Sequence, residues 1–507
     1  MSRTQLGMPG LRPGSGNLFA EEKFPSAARR ELGNTQLRKN LKHATSTIRG
    51  KRLNVTGELP DWEELRDAGS ALKTAVMARL PELLESFEAN VTARGGVVHW
   101  ARDADEANRI ILDLVRAEGV DEVVKVKSMA TQEIGMNEYL EEHGIDAFET
   151  DLAELIVQLG HDKPSHILVP AIHKNRTEVR DIFLQEMPGV DPELTDEPRK
   201  LAMAARSHLR AKFLSAKVAI SGANFGIADS GTLGVVESEG NGRMCLTLPE
   251  TLITVMGIEK LLPTFSDLEV FLQLLPRSST GERMNPYTSL WTGVTEGDGP
   301  SKFHVVMLDN GRTNALADEM GRSALHCIRC SACINVCPVY ERTGGHAYGS
   351  TYPGPIGAIL SPLMTGIQAE ENGSLPYASS LCGACYDACP VKINIPDILV
   401  HLRGKDVDAH RGGLPTQMDV GLKAASWLLS DGRRLGAAEK LLPLARLAAG
   451  RDKKIKKLPG IAAGWTQSRD IPAPPSQSFR DWWTKEHQVT KAPAPEARAS
   501  KAPEEDA

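Results

Sequence analysis

The sequence has few aromatic residues, no excess of positive charge, and almost no cysteine outside one short stretch. Aromatic side chains make up 5% of the 507 residues, and no apolar run approaches the ~18 residues that a membrane-spanning helix needs. With 65 acidic side chains against 59 basic ones, the net charge of −6 argues against nucleic acid as the main partner. The opening M-S-R-T-Q-L-G-M-P-G has no apolar stretch of the kind a secretory signal carries, so a cytoplasmic location is expected. Thiols stay reduced in that compartment, so clustered cysteines there are read as metal or redox sites rather than as disulfides.

Seven of the eight cysteines fall between Cys327 and Cys389. The eighth, Cys245 in M-C-L-T-L-P, reads as a small buried hydrophobe. Cys327, Cys330, Cys333 and Cys337, followed by Pro338, have the spacing C-x-x-C-x-x-C-x-x-x-C-P. Three thiolates at that interval let one tight loop wrap an iron–sulfur cubane, and the fourth, after a longer step, reaches a second cluster. A structural zinc ribbon would show two distant C-x-x-C pairs instead. Cys382, Cys385 and Cys389, followed by Pro390, repeat the last three positions, with Ser379 in register with the first. Crossed ligation assigns Cys327, Cys330, Cys333 and Cys389 to one site and Cys337, Cys382 and Cys385 to the other. Two [4Fe-4S] clusters are expected. For the iron that lacks a thiolate, the sequence leaves open Ser379 oxygen, Ser380, water, a partner group, or a three-iron cluster.

Around this region the chain divides by texture. Residues 1–61 read as a polar arm with some helix, and helix follows from Trp62, kinked at Pro81. From Val97, short apolar runs alternate with helical patterns: V-V-H-W-A, E-V-V-K-V-K-S, I-D-A-F-E-T and H-I-L-V-P-A as strands, with T-Q-E-I-G-M-N-E-Y-L-E-E-H among the helices. Asp103 and Glu106 form a candidate capping box. The expected fold for 62–310 is α/β with a parallel sheet. Residues 314–403 are expected to form an all-α domain holding the clusters, 404–485 a helical C-terminal region, and 486–507 a disordered tail.

Other residues invite a functional reading beside a plain one. Lys127, Ser128, Glu133, Thr150, Asp151 and Glu154 lie near predicted strand ends, where open parallel sheets bind ligands, but such groups also cap helices and form ion pairs. Glu237 and Glu239 in V-V-E-S-E-G-N loosely resemble a CoA-transferase nucleophile segment in a different residue order, so acyl or CoA-type transfer, or ligand binding, in the α/β domain with structural clusters stands as the alternative function. His346, Tyr348 and Tyr352 sit in a glycine-rich wrap between the cysteine groups, as cluster shielding or as substrate contacts. His326 reads as packing. The basic R-D-K-K-I-K-K near 455 reads as a solvated segment, with contact to a partner or to anionic lipid of the inner membrane as the sharper option. Trp482 and Trp483 read as apolar anchors. No dinucleotide fingerprint is present.

Taken together, V-K-S-M-A-T-Q-E-I-G, P-S-H-I-L-V-P-A, G-A-N-F-G-I-A-D-S-G-T, both cysteine groups, G-G-H-A-Y-G and S-F-R-D-W-W give a chain that resembles the iron–sulfur B-subunit family of bacterial lactate-utilisation complexes. The resemblance implies a lactate-utilisation (LUD) domain related to the ribose-5-phosphate isomerase and CoA-transferase superfold, joined to a two-cluster ferredoxin domain. It implies electron transfer in the oxidation of L-lactate to pyruvate, A and C subunits as partners, and an unidentified electron acceptor. It also makes the seven-cysteine pattern a family trait.

Overall fold

A computed structural model describes residues 20–409, 417–466 and 469–487. The expected disordered tail lies almost wholly outside them. The chain separates into two compact units, Met1–Ala409 and His410–Ala507.

In the first unit ten strands follow in order: β1 (Gly96–Ala101), β2 (Glu122–Lys125), β3 (Asp146–Glu149), β4 (Val218–Gly222), β5 (Phe225–Ile227), β6 (Thr232–Glu237), β7 (Thr251–Gly257), β8 (Leu261–Leu262), β9 (Tyr287–Trp291) and β10 (Lys302–Leu308). Six of them form a parallel sheet in the order β1-β10-β7-β4-β2-β3. β7 is buried along its whole length, as a central strand covered on both faces must be. The order reverses between strands joined by helices, so the C-terminal strand ends open a crevice. The other four strands form a mixed sheet, β8-β5-β6-β9, in which the glycine-rich stretch after Val218 supplies β5 and β6.

Local chemistry sets the boundaries. Asp103 caps Ala104–Ala117 by accepting from Glu106 N, but Glu106 returns its carboxylate to Arg102 N, one residue outside the expected box. The kink expected at Pro81 is a break between Trp62–Ala78 and Leu80–Ala93, with the proline in the first turn of the second helix. The helix expected over Thr131–His143 is split into Met129–Glu133 and Met136–Glu142 by Gly135, whose φ of +62° suits glycine.

His166–Ala171 is not a strand. Its backbone groups are satisfied outside the sheet: Leu168 N and Val169 N donate to His166 Nδ1, both at 3.0 Å, and Ser165 N donates to Pro170 O. The segment lies instead against the cysteine region, where Tyr340 Oη donates to Ser165 O at 2.8 Å. A Cβ at Gly345 would overlap the Ser165 carbonyl, so this close approach requires glycine.

One apolar core runs from Phe24 through the sheet to Leu402, so the parallel-sheet region and the helical cysteine region are packed as one body. The helix Thr35–Thr56 joins it through Leu37 and Leu41. In the second unit, Gln417–Leu429, Gly432–Leu441 and Phe479–Glu486 are helical, and two short strands, Lys454–Ile455 and Ile471–Pro472, pair antiparallel. Trp482 and Trp483 cluster with Phe479 and stay partly exposed. Among the described residues, no helix is long and apolar enough to cross a membrane.

Candidate iron–sulfur site and the adjoining cavity

The two cysteine loops have the same backbone. In the first, Arg329 and Ser331 flank Cys330 with φ of +62° and +64°; in the second, Leu381 and Gly383 flank Cys382 with φ of +54° and +84°. Each then enters a short helix, Ala332–Asn335 or Ala384–Ala388, before its Cys-Pro pair. Non-glycine residues rarely adopt positive φ, so the repeated pattern shows that both loops curl around something in the same way. Arg329 N donates to Cys327 Sγ at 3.4 Å, and Leu381 N donates to Ser379 Oγ at 3.1 Å. Ser379 therefore holds the local position that Cys327 holds in the first loop.

The thiols fall into two neighbourhoods. Cys327, Cys330, Cys333 and Cys389 line one small cavity, walled by apolar side chains that include Ile167, Ile356 and Val391. Burial, then the neighbouring Cys389 and Cys327, pushes the Cys330 thiol up. Burial, then Cys337 and Cys382, pushes Cys385 up to about 12. Cys333, raised by burial, feels members of both groups. These thiols keep their protons at neutral pH unless a cation takes the protons' place, which is the behaviour of soft metal-ligand sites. Amide N–H groups already point at sulfur, from Ile393 to Cys389 at 3.3 Å and from Tyr340 to Cys337 at 3.5 Å. The buried Tyr348 hydroxyl is directed at Cys337 as well. Four converging thiols in an apolar cavity, with amides and a hydroxyl directed at sulfur, fit an iron–sulfur cluster. Cys382 is exposed, so the second neighbourhood opens to the surface.

Two arginines from the N-terminal helices brace this region. Arg52 donates to Ala388 O at 2.9 Å, and Arg66 donates to Cys389 O at 3.0 Å and to Tyr386 O at 3.1 Å.

Next to the first neighbourhood, at the C-terminal ends of β2, β4 and β7, lies a cavity of about 370 Å³. Of the predicted strand-end residues, Lys127, Ser128 and Asp151 line it, as do Glu237 and Glu239. Glu133, Thr150 and Glu154 do not. Glu133 is wholly buried and accepts two bonds from Arg312, one from Asn310 and one from Tyr352. Thr150 donates to Lys125 O, and Glu154 accepts from Gln132. Glu237 accepts from Gly242 N and Arg243 N at 2.9 and 2.7 Å, which ties down both oxygens of the would-be nucleophile. Cys245 is fully buried beside Thr150, with its thiol pushed up to about 12 by burial, as a packing residue would be.

The glycine-rich wrap divides its roles. Tyr352 lies under the Arg329 guanidinium, 4.3 Å from its ring centroid, and donates to Glu133. His346 Nε2 binds Lys163 O at 2.7 Å, away from the thiols. His326 is buried, and burial lowers it to about 4, so it is a neutral packing group.

Sequence reasoning missed the buried ion network that joins cavity and thiols. Arg312 pairs with Glu133 and Glu259, and Arg329 with Glu259 at 3.4 Å. Lys73 donates to Glu259 O, and Lys260 lines the cavity. Arg329, set between Cys327 and Cys330, was the available signal.

A parallel α/β sheet fused to a helical region with two overlapping thiol clusters defines an iron–sulfur protein of the dicluster class. The LUD domain family matches residues 84–308, and the 4Fe-4S dicluster domain family matches residues 323–393. The chain is 44% identical over 466 residues to "Lactate utilization protein B" of Bacillus subtilis, covering 91% of this chain and 96% of that one. The protein of that name from Bacillus velezensis is 45% identical over 456 residues, with 89% and 94% covered. The chain belongs to the lactate utilization protein B family. A solved DUF162 family protein from Deinococcus radiodurans aligns with 14% identity and a TM-score of 0.26 over 45% of this chain and 98% of that one, too weakly to carry an argument.

Proposed function

We propose that this chain is the cytoplasmic iron–sulfur electron-transfer subunit of an assembly that oxidises L-lactate to pyruvate, working with the A and C subunits and a downstream electron acceptor. Cys327, Cys330, Cys333 and Cys389 hold one [4Fe-4S] cluster. Cys337, Cys382 and Cys385 hold the second, with Ser379 oxygen as the fourth ligand. Bound clusters supply one-electron transfer. The protein supplies the thiolates, the amides and the apolar shell that tune it.

The observation that carries the reading is the gathering of Cys327, Cys330, Cys333 and Cys389 around one apolar cavity, with Cys337, Cys382 and Cys385 grouped beside it and open to the surface at Cys382. A purely structural role would need neither the second site nor its opening. The α/β part is read as related to the ribose-5-phosphate isomerase and CoA-transferase superfold. Acyl transfer finds no support, since Glu237 is committed to backbone amides.

The test is anaerobic purification, iron and acid-labile sulfide analysis, and optical spectra after L-lactate is added to the three-subunit mixture. Bleaching of the iron–sulfur absorbance in the mixture is expected. Stoichiometric iron and sulfide with no lactate-dependent bleaching under any combination would contradict the proposal.

A further inference from the structure

Two cations at the strand-end cavity are left with unused donors. Lys260 follows β7 and is partly buried, with its side chain on the cavity wall near Glu259. Its ammonium makes no hydrogen bond to the described residues. Arg329 lines the same cavity and pairs with Glu259, but its Nη1 is buried without a hydrogen-bond partner. Cationic N–H donors left without an acceptor away from water are costly, so proteins keep them where an anion arrives.

The local charge count points the same way. Of the cations on the cavity wall, Lys260, Arg312 and Arg329 face only two carboxylates in the connected network, Glu133 and Glu259, which leaves 3 − 2 = 1 positive charge over; Lys73, lowered to about 7 by burial, is not counted. The rest of the cavity wall carries three carboxylates, Asp151, Glu237 and Glu239, against one further cation, Lys127, whose ammonium donates to Leu168 O at 2.8 Å. A small monoanion with a neutral oxygen suits such a wall, whereas a phosphate dianion meets three carboxylates. Glu239 stands at the exposed rim of the cavity and accepts from Leu152 N at 3.3 Å through one oxygen; partial desolvation and then the nearby Asp151 favour its protonated form, so its other oxygen can accept from a hydroxyl or donate to a carbonyl. A volume near 370 Å³ is in the range of small-molecule sites.

We propose that this cavity binds a small 2-hydroxy or 2-oxo monocarboxylate, with its carboxylate on Lys260 and Arg329 and its neutral oxygen toward Glu239. The site places such an acid against Arg329, whose neighbours in sequence hold the first thiol cluster. The choice of acid rests on the lactate-utilisation reading, while the anion site rests on the unused N–H donors of Lys260 and Arg329.

The experiment is calorimetric titration of the full chain, purified anaerobically with its clusters, using L-lactate, pyruvate, propionate and inorganic phosphate. One saturable site for lactate or pyruvate is expected, at least tenfold tighter than for propionate or phosphate. K260M should weaken it at least tenfold with cluster spin-resonance signals unchanged, and K260R should restore most of it. The unchanged signals establish that the variant is folded. Absence of saturable binding to cluster-loaded protein, binding indifferent to K260M, or preference for phosphate would each overturn the site. Any of these would leave the electron-transfer reading standing. Carboxylate binding by a chain that takes up no iron would support the site and sink the relay.

Discussion

Arg312 is the cation on which the junction between sheet and cysteine region turns, and replacing it with methionine is the most informative perturbation of the fold. Its guanidinium is 2% exposed and holds both Glu133 oxygens, at 2.8 and 3.0 Å, together with Glu259. The Glu259 carboxylate keeps Arg329 and the nearby Lys260 after the change, but Glu133 keeps only neutral donors, Asn310 and Tyr352. Stranding one buried carboxylate costs ~3–5 kcal/mol. At about 2.1 cal/mol/K of unfolding entropy per residue over the roughly 390 residues of 20–409, that lowers the midpoint by about 4–6 °C.

The pH dependence gives a sharper check. In the native protein, burial alone would raise Glu259, but Arg312, Lys260 and Arg329 hold it at about 2. Its contribution is therefore present above the ordinary carboxylate range and is lost only as pH falls from about 4.5 toward 2. Adding E133Q to R312M should recover at least half of the deficit at pH 7, since it removes the carboxylate that the change strands. Thermal scans of cluster-loaded protein under nitrogen measure both variants. A deficit below about 1 kcal/mol, or one that E133Q leaves unrelieved, would refute the reasoning that Arg312 neutralises a buried carboxylate.

Two further outcomes follow from the geometry. S379C should add an eighth thiol to the cluster set where Leu381 N already donates to the side chain, and the second cluster's spin-resonance line shape should change while the first cluster's does not. Asp318 is raised by burial but held at about 2 overall by bonds from Lys405, His401 and Gly321 N, so it ties Ile395–Ala409 to the cysteine region. Stability should fall as pH drops from about 3.8 toward 2. In D318N, acid unfolding followed by circular dichroism should lose that part of the slope.

The strands and the thiol spacing were legible because each is a local pattern. Alternating apolar runs show β1, β2 and β3, and the C-x-x-C intervals mark both loops and place Ser379 in register. His166–Ala171 misled because a short apolar run looks the same whether it enters a sheet or covers a site. Here Pro164 and Pro170 flank it, and His166 takes its amides. Glu133 was flagged by its place after a strand, yet its partner Arg312 lies 179 residues away, and no local pattern carries that pairing. Lys260 and Arg329 were invisible as a pair for the same reason. The sheet and the cysteine loop bring them to one cavity from 69 positions apart (329 − 260).

The central claim is that each cysteine loop lends its last thiol to the other's cluster, and paired serine variants measure it directly. Iron content and spin-resonance spectra of C330S, C389S, C382S and C337S, all prepared anaerobically, should sort by space rather than by sequence. C389S should match C330S in losing the first cluster's signal, and C337S should match C382S in losing the second's. Spectra in which C389S instead matches C382S would contradict it.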